Sequence, residues 1–482
     1  MAESDVLDTS AAGPAAMRGG ALRSTGYAAS VLLSLIAAPI LIRHLGVAGF
    51  GRYATVLAIV TLASGVTEGG VNIIALREWS TRKDAHRRDV FRQLLGVRIA
   101  FTLAGAAVAV AFTAAAGYPD AVLVGTMVAS VGMLMQVLQS LLVTPLQVEL
   151  RFGWITAIEL TRQAVAVALI VVLSLTAAGM VAFLATIIPA TAVALTATVV
   201  LTRHKVPLRP SFDWPRWRVL LRETLPFAAA IAASIVYFRV ALIVMSLLGS
   251  ANETGYFATA FRVVEVVAGV PPLVIGAAFP LLARAHRDDT QRFDYAVRRL
   301  LVLSCIAGAG VALLLVVGAP IVIPLLGGDA ARPAIGVLRI QGAAVAATFV
   351  ALAAGYPLLT LRRYGALLRV TLAALVVALV ASLVLVPVAD AKGAALATLA
   401  SELTAAIGMV AALYRQQPAV AGALRAFPLI VGSALAVGGA AIGSGLPAGF
   451  AIAVAIVGFP LMLVAVRQFP PELRDALGRR RA

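Results

Sequence analysis

Long apolar stretches recur along the whole chain, each close to the ~20 residues that a helix needs to cross a bilayer, and only short connectors separate them. We count about fourteen such stretches. With 61% hydrophobic residues, 13% charged residues and a mean hydropathy of +0.98, no water-soluble domain of 482 residues could bury so much apolar surface. The chain is therefore predicted to be an all-α polytopic membrane protein.

The stretches are predicted to be helices because they lack the alternation of apolar and polar residues that marks barrel strands. Each one ends near Gly, Pro or charged residues. The predicted spans are 24–41, 53–76, 94–116, 121–142, 155–178, 180–201, 225–248, 256–281, 301–326, 335–359, 366–386, 394–412, 427–442 and 448–466.

The distribution of basic residues predicts the orientation of the chain. There are 39 Lys and Arg against 22 Asp and Glu. If the N-terminus is placed inside, most of the 39 fall in inner connectors, as the positive-inside rule requires. We therefore expect a multi-pass protein of the inner, cytoplasmic membrane with both termini in the cytoplasm and membrane lipids around it. The basic excess is not taken as a sign of nucleic-acid binding.

Several kinds of chemistry are disfavoured by the residues that are missing. The single cysteine, Cys305, lies inside a predicted span, which excludes an intrachain disulfide and a cysteine zinc cage. The four histidines are scattered singly, and no phosphate-binding G-x-x-x-x-G-K-[ST] loop occurs. The short outer connectors leave no room for an extramembrane catalytic domain. We expect no catalytic residues, no metal and no cofactor, so the chain is not expected to be an enzyme.

The sequence contains two similar segments that indicate an internal duplication. LGVAGFGRYATVLAI (45–59) and LGSANETGYFATAFRV (248–263) both read as the end of a span, a Leu-Gly turn, a Gly with an aromatic residue, and the start of the next span. Their offset of about 200 residues equals six predicted spans. Six-span repeats of the same orientation fit a two-lobed transporter.

These features predict a division of the chain into five parts. The parts are a disordered cytoplasmic tail (1–17), an N-lobe of six spans (18–202), a cytoplasmic amphipathic linker (203–223), a C-lobe of six spans (224–413), and a final pair of spans with a basic cytoplasmic tail (414–482). The linker joins tryptophans and leucines to arginines, which suits the headgroup boundary. A plain basic linker is the alternative.

The opening, RGGALRSTGYAASVLLSLIAAPILIRHLGVAGFGRYA, resembles the Wzx-type polysaccharide and O-antigen flippases of the multidrug/oligosaccharidyl-lipid/polysaccharide (MOP) exporter superfamily. The second copy, through Phe279 and Pro280, is similar to the seventh and eighth spans of that family. The resemblance implies a MATE-like fold and export of a lipid-linked oligosaccharide. It also implies a polysaccharide polymerase or glycosyltransferases of the same pathway as partners. The family often has an acidic residue where this chain has Arg239, which puts a cation-coupling role at that position in doubt.

Two predicted spans carry pairs of opposite charge at helical spacing. Glu159 and Arg162 lie in the fifth span, and Arg262 and Glu265 lie in the eighth. An ionisable residue in lipid is costly and normally faces a cavity or an opposite charge. The two arginines are candidate substrate-binding cations and the two glutamates candidate coupling groups, while mutual neutralisation within each pair is the alternative.

Other intramembrane charges have no opposite charge nearby on the same helix. Arg98, Arg239 and Arg339 are the better candidates for binding an anion, unless they extend to the membrane interface. Glu68 and Glu402 are candidates for carrying protons, with pairing to an arginine across the bundle as the alternative for Glu68.

The excess of lone arginines over lone acids favours an anionic substrate, so we expect a flippase for a polyprenyl-diphosphate-linked oligosaccharide that works by alternating access. A multidrug or cation antiporter of the same superfamily remains open. A membrane-embedded glycosyltransferase or polymerase and a non-transporting scaffold are further alternatives.

Overall fold

The structure, a computed structural model, describes residues 12–68, 71–81 and 84–468. Within these ranges it is almost entirely helical and contains no strand. Eleven helices of the described part are long and apolar enough to cross a membrane. The predicted all-α polytopic fold is confirmed, whereas the number of about fourteen spans stays a prediction.

The chain forms two compact units that divide between Arg239 and Val240. The helix α9, Trp214–Leu248, runs through the division. The preceding helices are α1 Ala12–Glu68, α2 Val71–Thr81, α3 Asp84–Ala115, α4 Asp120–Leu142, α5 Thr144–Val148, α6 Phe152–Ser174, α7 Met180–Ala185 and α8 Ile187–Thr202. The following helices are α10 Ala251–Ala268, α11 Val270–Asp288, α12 Thr290–Gly327, α13 Ala334–Thr360, α14 Tyr364–Tyr414, α15 Ala421–Leu424, α16 Phe427–Gly443 and α17 Ala448–Ala465.

The start of α1 differs from the expectation for the N-terminal tail. Residues 12–17, expected to be disordered, are helical, which agrees with the high helix propensity of their alanines. The rest of the predicted tail, residues 1–11, lies outside the described residues, as does the basic tail from residue 469 onward.

The range of α1 contains a turn between two helices, which form a hairpin of the first unit. The backbone leaves the helical region at Gly46 (φ 68°, ψ 171°), in the predicted turn between the first two spans. This conformation favours glycine because a side chain would clash with the backbone. Close to the turn, His44 Nε2 lies 3.0 Å from the carbonyl oxygen of Ala178, so the hairpin is tied to the connector between α6 and α7.

The second unit has a similar hairpin inside α14. The helix is interrupted at Ala389 (φ −137°, ψ 17°) and Asp390 (φ 48°, ψ −132°). A Cβ on Gly393 would lie 2.0 Å from the Leu385 carbonyl oxygen, so the two arms of the hairpin meet backbone to backbone. The Ala391 N–H donates to Glu253 Oε2 at 3.2 Å, which ties this hairpin to the start of α10.

The predicted eighth span, 256–281, is not one helix. It is divided into α10, which ends at Ala268, and α11, which begins at Val270. Pro271 and Pro272 are the physical reason, because a proline has no N–H to offer the carbonyl one turn earlier and its ring crowds that carbonyl. The second predicted span, 53–76, is likewise shared between α1 and α2, with residues 69–70 outside the described part.

In the second unit the last two long helices pack on α12. Cys305, Ala309 and Leu313 of α12 lie in one buried cluster with Ile430 of α16 and Phe459 of α17. The division of the chain into two six-span lobes and a final pair of spans stays a prediction. Cys305 is buried in this cluster, as a small apolar residue would be.

The last part of the connector between α8 and α9 is docked on α3. The Ser211 N–H donates to the Arg92 carbonyl at 2.9 Å, and Gln93 Nε2 donates to Ser211 Oγ at 2.9 Å. Gln93 Oε1 accepts in turn from Trp217 Nε1 at 3.0 Å. Trp217 is buried in the core of the first unit. Residues 214–223 of the expected linker are the first turns of the long helix α9, and its position at the membrane interface stays a prediction.

The closeness of this docking depends on Gly96 of α3. A Cβ on Gly96 would lie 2.1 Å from the Ser211 carbonyl oxygen and 2.9 Å from Trp217 Cζ2. The obstacle includes backbone, which cannot move aside as a flexible side chain would. Any larger residue at this position must displace the connector from α3.

We predict that Gly96→Ala lowers the free energy of unfolding by about 1–3 kcal/mol, as overpacking of a close contact does. The matched control is Gly439→Ala in α16, where an added Cβ meets nothing within 4 Å. The control should hold or raise stability because alanine is the better helix former. Thermal unfolding of the purified protein measures both, and an equal midpoint for the two variants would contradict the docking.

Candidate functional site

Arg98 is at the centre of a polar cluster in the first unit. Its side chain, on α3, is 1% exposed. Nη1 donates to the Glu68 carbonyl at 3.0 Å, Nη2 donates to Ser140 Oγ at 3.3 Å, and Nη2 lies 3.7 Å from Glu68 Oε1. Asn72 Nδ2 donates to the same Glu68 carboxylate at 2.6 Å. We call Glu68, Asn72, Arg98 and Ser140 the Arg98 cluster.

Glu68 presents two acceptors to Arg98, its backbone carbonyl and its carboxylate. Polar groups at membrane depth have no water to bond. Arg98 meets both the carbonyl and the carboxylate of one residue. The pairing of Glu68 with an arginine across the bundle, left open from the sequence, is what the structure contains.

Arg339 contacts a free carbonyl in the second unit. Its Nε, on α13, donates to the Val316 carbonyl of α12 at 3.2 Å. Val316 stands four residues before Pro320, which lies inside α12. Because Pro320 has no N–H, it cannot donate to that carbonyl. Arg339 replaces the missing backbone donor.

The two pairs predicted from helical spacing are in contact. Arg162 Nε donates to Glu159 Oε2 at 3.1 Å, and a second bond joins Arg162 Nη2 to Glu159 Oε1. Arg262 Nη1 donates to Glu265 Oε2 at 2.6 Å. These arginines therefore already have carboxylate partners on their own helices.

The remaining two predicted residues have different surroundings. The Arg239 guanidinium lies 5.5 Å from the centre of the Phe238 ring, a cation–π contact on α9. Glu402 of α14 is 9% exposed, and its Oε2 accepts from Thr348 Oγ1 of α13 at 2.8 Å. Among the nine predicted residues, the described contacts join Glu68 with Arg98, Glu159 with Arg162, and Arg262 with Glu265.

Sequence reasoning missed a large apolar cavity in the second unit. Its volume is about 660 Å³, within the usual range for ligand pockets. The helices α12, α13, α14 and α16 supply its walls, and α16 belongs to the final pair of long helices. The lining includes Cys305, Ala309, Ala343, Ala346, Leu403, Ile407, Phe427 and Val431. The available signal was the set of alanines on facing helices, which leaves space between them.

A family model described as "Polysaccharide biosynthesis protein" matches residues 40–336, more than half of the chain. No curated protein matches the sequence. The family match and the structures below confirm the resemblance to the MOP superfamily that the sequence suggested.

Solved structures of similar fold include two kinds of transporter. A structure of "Lipid II flippase MurJ, inward closed conformation" has a TM-score of 0.75 at 11% identity and covers 92% of this chain and 99% of that chain. An inward-facing multidrug resistance MATE family transporter has a TM-score of 0.67 at 15% identity, covering 82% and 96%. The chain therefore has the MurJ/MATE-like fold.

A third structure is described as showing a reverse polarity of the binding pocket that suggests a different function. It is a MOP superfamily transporter from Pyrococcus furiosus Vc1. The TM-score is 0.60 at 15% identity, and the match covers 84% of this chain and 96% of that chain. The fold is thus similar to that of transporters whose pockets differ in polarity.

We predict that Arg98→Ala lowers the free energy of unfolding by about 1–3 kcal/mol, because it removes hydrogen bonds of a buried guanidinium to the Glu68 carbonyl and Ser140. The matched control is Arg332→Ala, whose ion pair with Asp329 (2.8 Å) is exposed and is expected to contribute about 1 kcal/mol or less. Thermal unfolding and the amount of protein in the membrane report the difference. Equal behaviour of the two variants would show that the Arg98 cluster does not stabilise the fold.

Proposed function

We propose that this chain, which belongs to the polysaccharide biosynthesis protein family, is a flippase for a lipid-linked oligosaccharide. It moves the polyprenyl-diphosphate-linked sugar from the inner to the outer leaflet of the cytoplasmic membrane by alternating access, with both of its own termini inside. Its pathway partners are a polymerase or glycosyltransferases that act on the same glycan. No covalent bond of the substrate changes in this process.

The apolar cavity of the second unit is the observation that carries this proposal. A polyprenyl chain is long and wholly apolar, and it needs a binding surface without polar groups. A cavity of about 660 Å³ lined by alanine, leucine, isoleucine and phenylalanine side chains provides such a surface. A cavity of this kind suits a substrate that has a hydrocarbon tail.

The diphosphate of the substrate is assigned to arginines. Arginine binds phosphate oxygens through charge-assisted and often bidentate hydrogen bonds. Arg339 is the preferred ligand, because the contact that holds its guanidinium is a backbone carbonyl rather than a carboxylate. Arg239, which lies beside the Phe238 ring, is a further candidate. Arg98, Arg162 and Arg262 are secondary candidates, since each is in contact with a glutamate.

The second candidate function is a multidrug or cation antiporter. The observation in its favour is Glu402, a nearly buried acid of the kind that can carry a proton or bind a cation during a transport cycle. The proposed coupling groups are Glu402, Glu68, Glu159 and Glu265. Such a protein would export a cationic dye and would not depend on the apolar cavity.

We predict that Ala343→Phe reduces glycan export about tenfold, because Ala343 is exposed in the wall of the cavity and a phenyl ring there occupies the space of the polyprenyl chain. The matched control is Ala373→Phe, at an exposed position of α14 outside the cavity. The measurement is glycan at the cell surface divided by the amount of protein in the membrane. Normal export by Ala343→Phe, or dye export in place of glycan export, would favour the antiporter.

The proposed orientation has its own test. A cysteine at Ser444, in the turn between α16 and α17, should react with a membrane-impermeant thiol reagent added outside intact cells. A cysteine at Arg88, in the first turns of α3, should react only after the membrane is opened. The native Cys305 is buried and provides a low background. The reverse pattern would overturn the assignment of both termini to the cytoplasm.

A further inference from the structure

The proline in the middle of α12 creates a fixed acceptor inside the second unit. Pro320 cannot donate a backbone hydrogen bond, so the Val316 carbonyl is left without its helical donor. Inside a membrane-spanning helix that carbonyl must find another donor in the protein. The donor is Nε of Arg339, at 3.2 Å.

The two helices approach closely enough to hold this contact. Gly342 of α13, one turn after Arg339, faces α12, where an added Cβ would lie 2.9 Å from Leu315 Cβ and 3.6 Å from the Val316 backbone nitrogen. Leu315 and Val316 are thus directly opposite the turn of α13 that carries Arg339. The short distance between the backbones fixes the start of the arginine side chain, and the carbonyl fixes its Nε.

The contact with Val316 uses only part of the guanidinium. Arginine has several N–H donors in a planar fork, and Nε is one of them. In the residues that the structure describes, Nη1 and Nη2 of Arg339 form neither a hydrogen bond nor an ion pair. A guanidinium held by Nε keeps the outer edge of the fork available, and that edge suits a phosphate-type oxyanion.

We propose that Pro320 is a positioning residue for Arg339. The carbonyl that the proline frees orients the guanidinium, and the Nη1 and Nη2 edge binds the oxygens of a phosphate-type anion. This inference rests on the proposed function, in which the anion is the diphosphate of the lipid-linked substrate. A phospholipid headgroup has the same phosphate chemistry and is the other source of such an anion.

The variant Pro320→Ala separates positioning from charge. Alanine at 320 supplies an N–H to the Val316 carbonyl, so Arg339 keeps its charge but loses the contact that orients it. The matched control is Pro324→Ala, one turn further along the same helix. Alanine there supplies a donor to the carbonyl of residue 320 and leaves the Val316 carbonyl, which Arg339 contacts, unchanged. Arg339→Ala, Arg339→Lys and the double variant Pro320→Ala/Arg339→Ala complete the set.

The first measurement is the affinity of the full-length protein in phosphatidylcholine nanodiscs for farnesyl diphosphate, together with thermal unfolding of each variant. We expect Arg339→Ala to raise Kd about thirtyfold and Pro320→Ala about tenfold, with little change in the unfolding midpoint of Pro320→Ala. The double variant should bind no more weakly than Arg339→Ala, since there is nothing left to position. Arg339→Lys should not restore affinity, because an ammonium cannot bond the carbonyl and also present a fork. Pro324→Ala should bind normally.

A purely structural arginine would give a different pattern. Arg339→Ala would then lower the unfolding midpoint only when Pro320 is present, Pro320→Ala would cancel that loss, and the Kd for farnesyl diphosphate would not change. This result overturns the proposal. Adding phosphatidylglycerol to the nanodiscs identifies the source of the anion. If phosphatidylglycerol weakens the binding of farnesyl diphosphate to the unaltered protein but not to Arg339→Ala, the oxyanion site is supported and its anion is a headgroup phosphate.

The flipping assay keeps this inference separate from the proposed function. If the unaltered protein flips a lipid-linked diphosphate sugar in proteoliposomes while Pro320→Ala and Arg339→Ala do so normally, the positioning role is wrong and the function stands. If the unaltered protein transports only a cationic dye, the proposed function is wrong. Affinity for farnesyl diphosphate then decides the oxyanion site without reference to transport.

Discussion

The constraint on which the rest of this structure depends is that a backbone polar group inside a membrane must be bonded by the protein itself. An unbroken helix meets this constraint without help from side chains. This chain breaks its helices repeatedly, and each break leaves carbonyl or N–H groups to be bonded. Charged side chains from other helices are found at two of those places, the carbonyl that Pro320 frees in α12 and the hairpin of α14.

At these places a charged side chain forms a hydrogen bond with a backbone group of another helix. Arg339 donates to the carbonyl that Pro320 frees in α12, and Arg98 likewise donates to a backbone carbonyl, that of Glu68. At the hairpin of α14 the polarity is reversed, since the Glu253 carboxylate accepts from the Ala391 N–H. An intramembrane arginine or glutamate in this protein is therefore often a partner of the backbone first and a candidate ligand second.

Much of the fold could be predicted from the sequence, because the length and hydropathy of a span are local properties. The turn at Gly46 and the charged pairs at helical spacing could be predicted as well, because they too depend on residues close together in the sequence. The partnership of Glu68 with Arg98 was not, because it joins residues 30 positions apart on different helices. The docking of the connector through Gln93 and Trp217 could not be predicted either, because the sequence around a tryptophan that looks interfacial does not show that it will be buried.

The contact between Arg339 and the Val316 carbonyl has a consequence for how this protein varies among its relatives. The atom that the arginine touches belongs to the backbone, so the identity of the side chain at 316 is almost irrelevant to it. The residue that makes the carbonyl available is Pro320, which contributes no atom to the hydrogen bond. Arginine at 339 should therefore co-vary with proline at 320, while position 316 varies freely. Co-variation between two positions that share no side-chain contact is the evolutionary trace expected of a hydrogen bond made to the main chain.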